Sequence, residues 1–137
     1  MSSPSSALEA VRVGIATALG TNITQQSAVV PVLTDVPDNQ TPPWVEIATL
    51  DERNDDTHDQ YGAQLTVTIH AWTDRGSDYT RCSDLLSQVR GLLHRQSLTL
   101  SDVTHGGTYH DSTSVVRDEP SGRVHGVSYY IVIAYGL

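Results

Sequence analysis

The stretch from Tyr61 to Thr73 alternates between apolar and polar side chains with a period of two. Leu65, Val67, Ile69 and Ala71 fall on one side, and Gln64, Thr66, Thr68 and His70 on the other. A helix would scatter these sets around its circumference, whereas a strand sends each to its own face. The chain must therefore build a sheet with one buried face and one face left wet or used for contacts. Trp44 to Leu50, rich in strand formers, predicts the hairpin partner. The connection from Asp51 to Gln60 holds Asp51, Glu52, Asp55, Asp56 and Asp59 against Arg53 alone, and so carries −4 of the chain's formal −8. Like charges this crowded predict a solvent-facing, mobile loop.

Two helices flank this hairpin in sequence. Leu8, Val11, Ile15, Ala18 and Leu19 share a helical face, which predicts a helix from Ser6 to Leu19. Ser6 and Glu9 are spaced as a capping box, Gly14 weakens the interior, and Gly20 is placed as a left-handed cap. A short strand is expected over Val29 to Asp35, then a turn-rich loop from Pro37 to Pro43. The second helix has Ser77 or Asp78 as its cap and Cys82, Leu85, Leu86, Val89, Leu92 and Leu93 as its apolar stripe. His94 and Arg95 are expected in its last turn, where positive charge suits the helix dipole.

The remainder reads as strands and turns. Leu98 to Val103 predicts a short strand, His105-Gly106-Gly107 a turn, and Tyr109 to Arg117 a strand. Glu119-Pro120-Ser121-Gly122 predicts a hairpin turn into a long strand, Arg123 to Tyr135. In that strand Val127, Tyr129, Ile131, Ile133 and Tyr135 share a face. Strands joined by short turns are antiparallel. The expected fold is therefore α+β: a mostly antiparallel sheet with two helices packed on one face, in a single domain spanning 1–137.

Composition removes several function classes. A strongly acidic chain does not neutralise phosphates, which argues against free nucleic-acid binding. One cysteine makes no internal disulfide, no apolar run reaches membrane-span length, and the N-terminus does not read as a signal peptide. Cys82, on an apolar stripe, reads as a buried structural thiol. His105 and His110 lack a zinc-site spacing and read as solvated turn residues. The acidic stretch lacks the central glycine of a calcium loop. Trp44 and Trp72 read as core or interface aromatics. No nucleophile elbow or phosphate-binding glycine loop is present, so no catalytic residue, metal or cofactor is expected.

Five segments occur in a particular order: VLTDVP at 32–37, PWVEIAT at 43–49, LTVTIHAW at 65–72, VRGLLH at 89–94 and VRDEPSGRVHGV at 116–127. This pattern resembles the tail completion, or tail terminator, proteins of long-tailed bacteriophages and prophages. The last segment supplies the family-motif turn and strand, with Arg117, Asp118, Pro120, Gly122, Arg123, His125 and Gly126 in place.

The resemblance implies a non-enzymatic virion protein, assembled in the host cytoplasm and sited at the head-proximal end of the tail. It implies a ring of identical subunits, a hexamer by expectation, that caps the tail tube and stops its polymerisation. The implied partners are further copies of the chain, the major tail tube protein and a head–tail connector or neck protein. DNA would pass through the ring without specific binding, and no membrane is involved. Asp51, Glu52, Asp55, Asp56 and Asp59 are the candidate residues for the channel wall or a partner contact. Two other readings remain open at this stage. One is a connector or neck ring protein; the other is a small metal-binding enzyme using His58, His105, His110 and the acidic stretch.

Overall fold

A computed structural model describes residues 6–56, 60–76 and 78–137. In chain order the elements are α1 (Leu8–Leu19), β1 (Thr24–Gln25), β2 (Ala28–Val29), β3 (Val32–Leu33), β4 (Trp44–Asn54), β5 (Gly62–Thr73), α2 (Tyr79–Leu93), β6 (Thr104–Arg117) and β7 (Val124–Tyr135). The main sheet has the order β3-β4-β5-β7-β6, and every pairing in it is antiparallel except β3 with β4. β1 and β2 form a separate small ribbon. The α+β architecture is the expected one.

Alternation along β5 decides which face holds the helices. Leu65, Val67, Ile69 and Ala71 are fully buried, as their spacing requires. β7 contributes Val124, Gly126, Ser128, Tyr130, Val132 and Ala134 to the same face. The set Val127, Tyr129, Ile131, Ile133 and Tyr135 does share a face, but it is the one turned away from the helices. β7 is apolar on both sides, so hydrophobicity alone could not choose between them.

Helix α2 lies across β5, β6 and β7 and buries Cys82, Leu85, Leu86, Val89 and Leu93. Asp78 caps it by accepting a hydrogen bond from the Thr80 N–H, at 3.0 Å; Ser77 lies outside the described residues. The helix ends at Leu93, so His94 and Arg95 fall beyond it and Arg90 supplies the charge in the last turn. Arg95 takes φ +58° and donates its N–H to the Thr108 carbonyl at 2.7 Å, which turns the chain towards β6. Burial pushes the Cys82 thiol up to about 11, so it stays protonated and inert.

Helix α1 corrects the expected cap. Ser6 Oγ accepts only from Leu8 N, and Glu9 pairs with Arg12 instead of reaching back. The cap comes from another element: the Ala7 N–H donates to Glu52 of β4 at 2.7 Å. Gly20 does take a positive φ, +43°, but with ψ −120° it is not a left-handed helical cap.

Two predicted segments also differ. The expected strand over Val29 to Asp35 is split, with Val29 in β2 and Val32–Leu33 in β3. Leu98 to Val103 is irregular and not a strand. It lies over α1, where a Cβ on Gly14 would sit 2.7 Å from Leu100 Cδ2 and 3.1 Å from the Thr99 carbonyl. Packing against a helix at that distance uses up the apolar side chains that a strand would have paired. His105-Gly106-Gly107 is not a turn but a bulge within β6, and a second bulge follows at His110–Ser112.

Gly126 has a stricter role than the turn–strand junction suggests. It sits in a regular ladder, opposite Ala71 on one side and Val115 on the other. A Cβ there would lie 2.5 Å from Leu86 Cδ1 and 2.7 Å from Cys82 Sγ. The glycine is therefore what lets α2 approach the sheet. Gly126→Val should lower unfolding free energy by about 1–3 kcal/mol through overpacking, measured by denaturant unfolding. Adding Leu86→Ala to that variant should recover part of the loss.

Candidate assembly site

The ends of the central strands carry two different surfaces. At one end, on the face away from the helices, register places Trp44 of β4 opposite Trp72 of β5, and Trp72 opposite His125 of β7. The three rings form a continuous stack. Trp44 and Trp72 have centroids 5.8 Å apart at 21°, and Trp72 and His125 lie 4.0 Å apart at 9°. The Arg123 guanidinium stands 5.6 Å from the Trp44 ring centroid. The Trp44 indole N–H is buried with no hydrogen-bond partner among the described residues, so ring contact and not hydrogen bonding holds it. His70 completes the group, its Nδ1 3.1 Å from His125 Nε2.

Each residue of the late motif has an assignable task here. The Asp118 carboxylate accepts from Ser121 N–H and Ser121 Oγ–H, at 3.2 and 2.6 Å. Arg117 donates to the Gly122 carbonyl at 2.9 Å, and Gly122 takes φ +73°. With Pro120 between them, these residues shape the turn that delivers Arg123 and His125 to the ring stack. Val36 and Pro37 approach from the loop after β3 and close a groove of about 310 Å³ with Trp44, Trp72, Asp118 and Arg123. Four of the five ordered segments thus meet at one end of the sheet. The fifth, at 89–94, lies in α2, where Val89 and Leu93 enter the core.

The acidic residues occupy the opposite end. They are not one loop. Asp51 and Glu52 belong to β4, which runs on to Asn54. Asp51 is exposed on the outer face, whereas Glu52 is half-buried and caps α1. Asp56 accepts from Gly62 N–H at 2.9 Å and from Asn54 Nδ2 at 2.8 Å. The Asn54 and Gly62 contacts hold its carboxyl below the usual range. Asp55 closes the hairpin through its backbone, donating to the Gly62 carbonyl at 3.0 Å. Glu52 and Asp56 thus also hold local structure, and the expected single loop is partly strand β4, although Asp51, Asp55 and Asp56 are solvent-facing as expected. Asp59 and His58 lie outside the described residues.

His105 and His110 are likewise not free turn residues. His105 Nδ1 accepts from Leu98 N–H at 3.3 Å, which leaves the neutral ring's proton on Nε2, 2.7 Å from Thr108 Oγ1. His110 Nε2 lies 2.6 Å from Thr113 Oγ1, which in turn lies 2.7 Å from Ser128 Oγ. Each has a local structural partner. Among the described residues, no three His, Cys, Asp or Glu side chains are grouped to hold a metal ion. No described helix is long and apolar enough to cross a membrane.

An aromatic end built from distant segments and a sheet left open at its margins define a structural, contact-making class of protein. The same fold occurs in a phage-like particle. A chain of the structure titled "Virion of native gene transfer agent (GTA) particle" matches with a TM-score of 0.77 at 16% identity, covering 97% of this chain and 100% of that one. No curated protein matches the sequence. The profile of the family described as "Tail completion protein gp17" matches residues 14–134, and the chain belongs to that family. It is a family of structural virion proteins and not a class of enzymes.

Two measurements test these assignments. Glu52→Ala should cost about 0.5–2 kcal/mol of stability by uncapping α1, whereas Asp51→Asn should stay within about 0.5 kcal/mol. The second concerns pH. Burial first, then mutual repulsion for His125, holds both imidazoles of the His70–His125 pair below their ordinary values. Glu46 opposes this at His70, and Asp118 at His125. The unfolded chain then binds more protons than the folded one, so stability rises with pH across this window. The contribution is complete above about pH 6.5 and falls as pH drops towards the lowered values. Tryptophan-monitored unfolding between pH 7 and 5 should show that slope, to which half-buried His105 and His110 add in the same direction, and His70→Gln should reduce it.

Proposed function

We propose that this chain is the tail terminator of a long-tailed phage or prophage particle. In this reading copies close into a ring, a hexamer by family resemblance, on the head-proximal end of the tail tube. The ring stops tube growth and presents a surface to the head connector. The observation that carries the reading is the family match, which spans the chain from within α1 to near the end of β7. Two features support it. Four of the five segments that carry the resemblance meet at one end of the sheet, which suits contact with a neighbouring protein. The opposite end carries Asp51, Asp55 and Asp56. Carboxylates there repel the DNA backbone, which suits a channel through which DNA moves without sticking. The tube protein, the connector and further copies are the partners in this account.

Deleting the gene tests the role. Tails of abnormal length that fail to join heads are the expected result by electron microscopy. Normal-length tails that still fail to join heads point instead to a connector or neck protein. Normal-length tails attached to heads reject both roles.

A further inference from the structure

We propose that Ser112–Val116, in the bulge-free half of β6, pairs antiparallel with Thr49–Arg53 of β4 in a second copy of this chain. The inference rests on the ring reading above and names the surfaces that close the ring. Its starting point is the sheet order, which among the described residues leaves β6 without a strand partner on its outer side. An unpaired edge exposes a row of N–H and C=O groups that template another strand unless something blocks them. The first half of β6 is blocked by its bulges at His105–Gly107 and His110–Ser112, with Asp111 inside the second. Beyond them Ser112, Thr113, Ser114, Val115 and Val116 continue with no bulge, proline, lysine or carboxylate. Val116 is 52% exposed on this bare edge.

The complementary edge lies at the other margin of the same sheet. On its outer side β4 is paired only at Val45 and Glu46, by β3. A bulge separates Ile47 from Thr49, after which Thr49–Asn54 pairs regularly with β5 and, among the described residues, has no strand partner on its other side. The two stretches that would meet, Ser112–Val116 and Thr49–Arg53, are both five residues long. β4 and β7 run one way, while β5 and β6 run the other. A rotation about an axis along the strands preserves those directions, so β6 meets its neighbour's β4 antiparallel. Two different edges meeting head to tail give a heterologous contact, the kind that closes into a ring.

Side-chain parity fits as well. Ser112, Ser114 and Val116 lie on the face away from the helices, as do Thr49, Asp51 and Arg53. Joining the sheets sets these two rows opposite one another without a like-charge pair. On the helix side the same register brings Val115 to Leu50. Both are partly exposed apolar side chains at the margins of the core, and pairing would cover each with the other.

Cysteine cross-linking in assembled tails tests the pairing. A chain carrying both Ser114→Cys and Asp51→Cys, treated with a short bis-maleimide, should give a ladder of multimers up to ring size on a denaturing gel. Either single variant should stay monomeric on the same gel. Ser112→Cys with Arg53→Cys is a second pair in the same rows, should the first lower the yield of folded protein. The native Cys82 is buried beneath α2 and does not compete. Electron microscopy of the tail ends reads ring formation separately. Rings without a ladder from either pair overturn the edge pairing and leave the ring reading standing. A cross-linked dimer from a single variant also overturns it, since like residues would then be in contact. Tail ends without rings overturn both.

Discussion

The unbroken register between β5 and β7 is the constraint from which the rest follows. Gly62 pairs with Tyr135 and Thr73 with Val124, and every residue between keeps step. A slip of one residue would turn every β7 side chain to the other face. Gly126 would then leave the helix side, and α2 would lose the flat spot that admits Leu86 and Cys82. On the opposite face the same slip would move His125 off Trp72 and away from His70. One ladder thus fixes both the depth of the core and the geometry of the aromatic end.

That aromatic end is an economical use of a two-sided sheet. The helix face takes aliphatic and small side chains together with Tyr130, and the outer face collects Trp44, Trp72 and His125 at the positions where three strands begin or end. Stacked neutral rings hold one another without strong hydrogen bonds, so the surface keeps polar groups such as Arg123 available at its rim. The Asp118–Arg123 turn works at second hand. Its internal hydrogen bonds set the angle at which the last strand presents His125, so the motif residues act partly as architecture and partly as surface.

The margins of the sheet explain how such a fold avoids indiscriminate association. β6 carries bulges along its first half, and β4 is shielded at its start by β3. What remains open is short and placed at opposite margins. The acidic end adds charge repulsion over its exposed residues Asp51, Asp55 and Asp56, while Glu52 is half-buried and drawn into capping α1. Charge counted along the sequence overstates the charge that a partner meets.

The sequence by itself determined the class of fold and the faces of β5 and α2, because a period of two or of 3.6 is a local property that burial must obey. The Asp78 cap and the late turn were legible for the same reason, since the residues that make them are neighbours in the chain. The tertiary structure alone decided which face of β7 is inside, because that strand is apolar on both. It also decided that Glu52 and not Ser6 caps α1, that His105-Gly106-Gly107 is a bulge, and that Leu98 to Leu100 covers Gly14 instead of pairing. Each of these depends on a partner distant in sequence, through a hydrogen bond or a close approach that no local pattern encodes. The site follows the same division: its motifs could be read in order along the chain, but only strand register brought Trp44, Trp72 and His125 into one stack.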